Sequence, residues 1–271
     1  MTLIVSWAGV DSRSTSSLYI ASDSRITWGN KYFDQGKKVF ACKKHPDIFG
    51  YCGDVLFPVM VLGQIVDSID AGLLYAPNWD YHRKSEMMIQ RLIDSFKEYP
   101  TEVSEIMNDS VEILHGIRDD KDSSFHCMQL KWTRKDNKWH INELPIEKFS
   151  YQIRISGSGA KEFVSRYESY KTKPDFKTSR AVYQTFCDTL KGIKEKSVGG
   201  APQLVGLYRK KESPACVFGI IHENQRFFGG MHIDNYPLAG LKNVEWRNEM
   251  FERYEGGNMT IIEGAQKQPH I

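Results

Sequence analysis

The sequence predicts an α+β protein, a four-layer αββα sandwich of two antiparallel sheets. Three observations lead there: a length of 271 residues, short β-branched runs bounded by turn residues, and two stretches where the apolar period changes from that of a strand to that of a helix. A chain of this length buries roughly 75% of its unfolded surface as one large domain. That domain is expected over residues 1–230, with a C-terminal extension over 231–271. The order strands, two helices, strands, two helices, strands is that of two sheets packed face to face with helices outside each.

Residues 2–8 (TLIVSWA) and 17–22 (SLYIAS) are apolar and β-branched on either side of the polar DSRSTS, which reads as a hairpin. Residues 37–42 (KKVFAC) and 48–53 (IFGYCG) repeat the pattern across a His45-Pro46-Asp47 turn. From Asp54, read as an N-cap, Val55, Val59, Leu62, Val66 and Ile69 fall on one face of a long buried helix. Met88, Leu92 and Phe96, beside Ile89 and Ile93, mark a second helix over 83–98. Strands return at 111–117, 125–133, 138–144 and 151–156, with a hairpin turn at Lys135-Asp136-Asn137. Helical spacing resumes at 159–170 (Phe163, Val164, Tyr167) and at 178–195 (Val182, Phe186, Leu190, Ile193). Strands at 204–209, 216–223 and 225–230 close the core, the last two joined at Asn224. Beyond Gly230 come Pro237, Gly240, Gly256, Gly257 and a polar ending; residues 243–254 read as a short helix through Val244, Met250, Phe251 and Tyr254, which covers either its own domain or a subunit neighbour.

Composition narrows the function classes. Lysine and arginine total 36 against 34 acidic residues, a formal net charge of +2, which does not suit a nucleic-acid or anionic-membrane binder. Cys42, Cys52, Cys127, Cys187 and Cys216 are odd in number and form no CxxC pair, so neither a zinc site nor a disulfide framework is expected. The apolar opening lacks a basic n-region and a cleavage site. The apolar run over 55–62 contains Pro58 and is far shorter than the roughly 20 residues of a spanning helix. A cytoplasmic protein without a membrane segment is the expectation. The eight histidines form no HExxH, and Gly157-Ser158-Gly159 is not a complete dinucleotide fingerprint. No metal or cofactor is expected.

Thr2 is the first catalytic candidate. A hydroxyl at a free N-terminus can use its own α-amine as general base, and that amine has a reference pKa of about 7.7–8. Removal of Met1 would expose it. Four further motifs accompany Thr2 in order: residues 20–25 (IASDSR) with Gly29-Asn30, residues 36–40 (GKKVF), residues 50–54 (GYCGD) and residues 155–160 (ISGSGA). A fifth, residues 195–200 (EKSVGG), is followed by Gln203-Leu204-Val205. Together, across residues 2–230, they resemble the proteasome β-subunits and the related bacterial peptidase that works with a ring ATPase.

The resemblance implies roles residue by residue. Lys38 falls on the catalytic lysine, which lowers the effective pKa of the Thr2 hydroxyl, and Asp23 holds that lysine by an ion pair. Gly53 falls on the glycine whose amide forms the oxyanion hole. Ser158 and Glu195 would orient the Thr2 amine; apart from the resemblance, the place of Tyr51 near the proposed pocket hints at a restricted or aromatic-lined site. The chain departs from the family pattern in a longer first hairpin (residues 11–17), in Glu195 where aspartate is usual, and in Val198 where a second serine is usual. The leading expectation is a threonine peptidase acting on peptide or unfolded protein inside a homo-oligomeric ring, with an ATPase unfoldase as a possible partner. Two rivals are an amidase of the same superfamily acting on a small amide without a ring, and an inert structural homologue that keeps Met1.

Overall fold

A computed structural model describes residues 2–76, 78–102, 108–235 and 239–264. Met1, Pro237 and the polar residues after Gly264 lie outside the described residues.

The first strand explains the arrangement of the rest. β1 (Ile4–Val10) is apolar on both faces because both are covered. It pairs antiparallel with β2 (Thr15–Ser22), and β3 (Ile26–Trp28) and β4 (Lys31–Phe33) form a separate hairpin. β5 (Val39–Ala41) and β6 (Asp47–Gly53) lead into α1 (Leu56–Asp70) and α2 (Tyr81–Lys97). β7 (Ser110–Arg118), β8 (Phe125–Thr133), β9 (Lys138–Leu144) and β10 (Tyr151–Ser156) follow, then α3 (Ala160–Ser169) and α4 (Ser179–Gly192). The chain continues through β11 (Gln203–Tyr208), β12 (Cys216–Val217), β13 (Gly219–His222), β14 (Gln225–Phe228) and β15 (Met231–His232). β16 (Trp246–Asn248), β17 (Arg253–Glu255) and β18 (Thr260–Ile261) end it.

Two antiparallel five-stranded sheets, ordered β10-β1-β2-β11-β12 and β5-β6-β7-β8-β9, form the centre. Three apolar clusters fill the spaces between four layers. Ile4, Leu18, Ile20, Ile48, Leu114 and Val205 meet between the sheets. Phe57, Leu62, Ile65, Met88 and Leu92 of α1 and α2 pack on Phe49, Tyr51 and Ile113. Phe163, Tyr167, Val182 and Phe186 of α3 and α4 pack on Leu3, Val5 and Trp7. Burial of each such side chain contributes about 1.5–3 kcal/mol.

Five expectations are corrected. Val59 is exposed rather than part of the buried face of α1, which runs instead through Phe57, Val61, Leu62, Ile65, Val66 and Ile69. The N-cap of α1 is Val55 rather than Asp54, although the Asp54 carboxylate, one residue earlier, accepts from the Phe57 amide at 3.1 Å. The strand expected at 216–223 breaks at Phe218, whose ring enters the core on the α3–α4 side while β13 turns into a third sheet, β15-β14-β13-β16-β17-β18. That sheet contains a parallel pair, β13 with β16, so the β-structure is not confined to two antiparallel sheets. The helix expected at 243–254 is two short strands. Asn248 Oδ1 accepts from the Met250 and Glu252 amides (3.0 and 2.8 Å), and the resulting turn reverses the chain between β16 and β17. The β3–β4 hairpin was legible in Trp28-Gly29-Asn30-Lys31, two aromatic-rich runs around a two-residue turn, but was not predicted.

Candidate active site

Thr2 lies two positions before Ile4, the first residue of β1, and is buried. Its carbonyl oxygen accepts from the Gly159 amide at 3.2 Å, and its nitrogen donates to Ser158 Oγ at 3.3 Å. Gly157 makes this grip possible. Its φ of +92° is unfavourable for side-chain-bearing residues, and a Cβ there would lie 2.1 Å from the Thr2 carbonyl oxygen. The register of β1 on β10, Ile4 opposite Ser156, brings Gly157-Ser158-Gly159 to Thr2.

Lys38 and Asp23 complete the contact from the other side. Lys38 Nζ lies 2.9 Å from Thr2 Oγ1 and 2.9 Å from Asp23 Oδ1, with both charged side chains fully buried. Burying an ion pair is tolerated only when its remaining hydrogen-bonding capacity is met. Asp23 meets it through the amides of Leu3 (3.0 Å), Gly199 (3.1 Å) and Arg25 (3.2 Å). Gln203, also buried, donates to the carbonyls of Asp23 (3.1 Å) and Gly36 (2.7 Å) and accepts from the Lys38 amide (3.1 Å). Arg25 grips Asp34 through two nitrogens (2.7 and 2.8 Å) and donates to the Lys196 carbonyl (3.2 Å), fastening the 195–200 segment beside Asp23.

Glu195 does not touch Thr2 directly. It accepts from the amide and the hydroxyl of Ser197 (3.0 and 2.8 Å), and Ser197 Oγ lies 3.0 Å from Ser158 Oγ. The route from carboxylate to Thr2 nitrogen therefore runs Glu195, Ser197, Ser158. The Ser197 amide and hydroxyl hold the Glu195 carboxyl below its ordinary pKa. Val198 packs in the core on the α3–α4 side, leaving the polar role to the neighbouring Ser197.

Gly53 ends β6 with φ +92°, and a Cβ there would meet the Ser110 carbonyl oxygen at 2.3 Å. Two residues earlier the Tyr51 amide donates to the Lys38 carbonyl at 3.2 Å, tying this strand to the lysine. Tyr51 is not a pocket wall. Its ring is buried against α1 and α2, and its hydroxyl donates to the Lys37 carbonyl at 3.1 Å.

No family model matches the sequence, and no curated protein matches it. Solved structures do. Anbu (ancestral beta-subunit) from Yersinia bercovieri superposes with a TM-score of 0.51 at 15% identity, over 79% of this chain and 86% of that one. The Anbu (Gly-1) mutant from Hyphomicrobium sp. strain MC1 gives 0.52 at 13% identity, over 80% and 88%. The chain has the fold of the proteasome-like N-terminal-nucleophile hydrolases. BPH of Thiobacillus denitrificans in complex with Epoxomicin gives 0.48 at 12% identity, over 76% and 99%. At these identities the likeness is one of fold.

The five cysteines are free, and burial pushes the thiols of Cys52, Cys127 and Cys216 up to about 12 and that of Cys42 higher still, which suppresses the nucleophilic thiolate. Among the described residues no group of three or more His, Cys, Asp or Glu could hold a metal ion, and no helix is long and apolar enough to cross a membrane. Sequence reasoning missed Ser197 and Gln203. Ser197 was visible as a hydroxyl between the Glu195 and Gly199 motif positions. Gln203 was visible as the polar residue opening an otherwise apolar strand.

Proposed function

We propose that the chain is a threonine peptidase of proteasome-like architecture, with Thr2 as nucleophile once Met1 is removed. The observation that carries this reading is the position of the buried Lys38 ammonium, 2.9 Å from the Thr2 hydroxyl and equally close to Asp23. A cation there stabilises negative charge on the hydroxyl oxygen as its proton leaves. The freed amine of Thr2, oriented by Ser158 and through Ser197 by Glu195, takes that proton. Thr2 Oγ1 then attacks the scissile carbonyl, and the Gly53 amide donates to the oxyanion, an interaction whose loss costs about 2.7–4 kcal/mol in comparable acyl transfers. The amine returns its proton to the leaving nitrogen, and water hydrolyses the resulting ester. Peptides or unfolded chains are the substrates, reached inside a homo-oligomeric ring that an ATPase unfoldase would feed.

The test begins with the intact mass of the untagged protein. A mass lacking Met1, one adduct per chain from a threonine-reactive β-lactone, and no adduct on Thr2→Ala are the expected results. Complete retention of Met1 leaves the Thr2 nitrogen an amide that cannot act as base, and identifies an inert or precursor form. A monomer or dimer by native mass would exclude the ring and favour the small-amide hydrolase.

A further inference from the structure

We infer that Gln203 is a positioning residue whose side-chain amide sets the spacing of Asp23 and Lys38, and through it the contact of Lys38 with Thr2. The inference rests on the reading of Thr2 as nucleophile.

Each member of the ion pair sits at the very end of a ladder, the Asp23 amide on the Leu3 carbonyl and the Tyr51 amide on the Lys38 carbonyl, both at 3.2 Å. Asp23 lies just past the last residue of β2, and Lys38 just before the first residue of β5. Between them the chain makes the β3–β4 hairpin, which pairs only with itself and carries the exposed rings of Trp28, Tyr32 and Phe33. The neck of this segment is closed by the Gly36 amide on the Ser24 carbonyl (2.8 Å) and by Arg25 on Asp34, contacts between the neighbours of Asp23 and Lys38 rather than between those two residues themselves.

Gln203 spans the gap. Both hydrogens of Nε2 are used, one on the Asp23 carbonyl (3.1 Å) and one on the Gly36 carbonyl (2.7 Å), while Oε1 takes the Lys38 amide at 3.1 Å. All three partners are backbone groups of the two charged residues or of the segment joining them. Gln203 itself is anchored in β11 opposite Ser22, the residue before Asp23. Behind the amide the chain passes at Gly230, where an added Cβ would lie 3.1 Å from the Gln203 amide carbon and 2.8 Å from Ser24 Cβ, so the glycine leaves the Gln203 side chain its space. Gln203 is buried and all three of its side-chain bonds end on this segment, so an error in its position passes directly to Asp23 and Lys38.

Gln203→Met keeps the length and volume of the side chain and removes the three hydrogen bonds. Inactivation by the β-lactone, followed by intact mass, separates positioning from folding. The positioning role predicts that kinact falls by about a hundredfold, the scale of an ångström-sized misplacement, while KI stays within about twofold. Every Q203M molecule should still label in the end, because the whole population is slow. A fraction that never labels beside a remainder that labels at the wild-type rate would assign Gln203 to folding alone and overturn the inference. Wild-type kinact in folded Q203M would overturn it too. If Q203M does not fold, Gln203→Asn, which keeps the amide one methylene short, is read by the same criteria, and failure of both to fold makes Gln203 a fold determinant only. A wild-type protein that does not label on Thr2 removes the nucleophile reading itself, an outcome distinct from one in which wild type and Q203M label alike.

Discussion

Gly157 holds the nucleophile candidate with backbone alone. A methyl group at this position would strike the Thr2 carbonyl oxygen, an atom fixed by its bond from Gly159 and by the pairing of β1 on both sides. The clash cannot be relieved by a side-chain rotation. Gly157→Ala is therefore expected to lose about 3 kcal/mol in urea unfolding, from the left-handed backbone and the displaced strand together. Its β-lactone labelling should fall further than its stability accounts for, because the substitution moves the main chain of Thr2, the proposed nucleophile. Ser158→Ala, by contrast, leaves the backbone grip intact and removes the acceptor at the Thr2 nitrogen together with the contact to Ser197 Oγ.

Between elements, the end of α4 is fastened to the third sheet by one carboxylate. Glu249 pairs with Lys191 of α4 and with His222 of β13, and accepts from the Glu223 amide at 3.2 Å. Burial alone would raise its pKa, but the bonds from His222 and Lys191 outweigh burial and hold it at about 2 against an ordinary value of 4.5. The folded value is the lower one, so the stabilisation is complete above about 4.5 and is lost as pH falls towards 2. Glu249→Gln should lower Tm at neutral pH, and the gap from wild type should close across that window in a pH series. Elements of this kind were legible to different degrees. The central strands and the four helices have the periodicities that packing on one or two faces demands, and Thr2, Asp23 and Lys38 were each readable from a local motif. Ser197 and Gln203 were not assigned roles because a bond between residues 165 positions apart, such as that from Lys38 to Gln203, leaves no periodic trace. The helix expected at 243–254 failed for the opposite reason. Its apolar spacing suited a helix, while the decisive features, the Asn248 turn and a left-handed Phe251, depend on what those residues pack against.

For the molecule as a whole, Phe251 is the clearest sign that the chain after Gly230 is bound into the main body. Its ring lies 5.9 Å from Trp7, 5.2 Å from Tyr19 and 5.3 Å from Tyr183, joining β1, β2 and α4. Its φ of +62° is costly for a bulky residue and persists because the packing over-determines it. Phe251→Ala should destabilise by about 3–5 kcal/mol in denaturant titration. The placing of β1 between β2 and β10 has a further consequence, for the timing of synthesis. The grip on Thr2 waits for residue 159, and the clamp on Asp23 waits for Gln203, 180 positions after the aspartate. At about 5–20 residues per second that interval is roughly 10 to 40 seconds. During it the nascent chain carries Asp23 without the partners that fix it, so the arrangement of Thr2, Lys38 and Asp23 is among the later features of the fold to be completed.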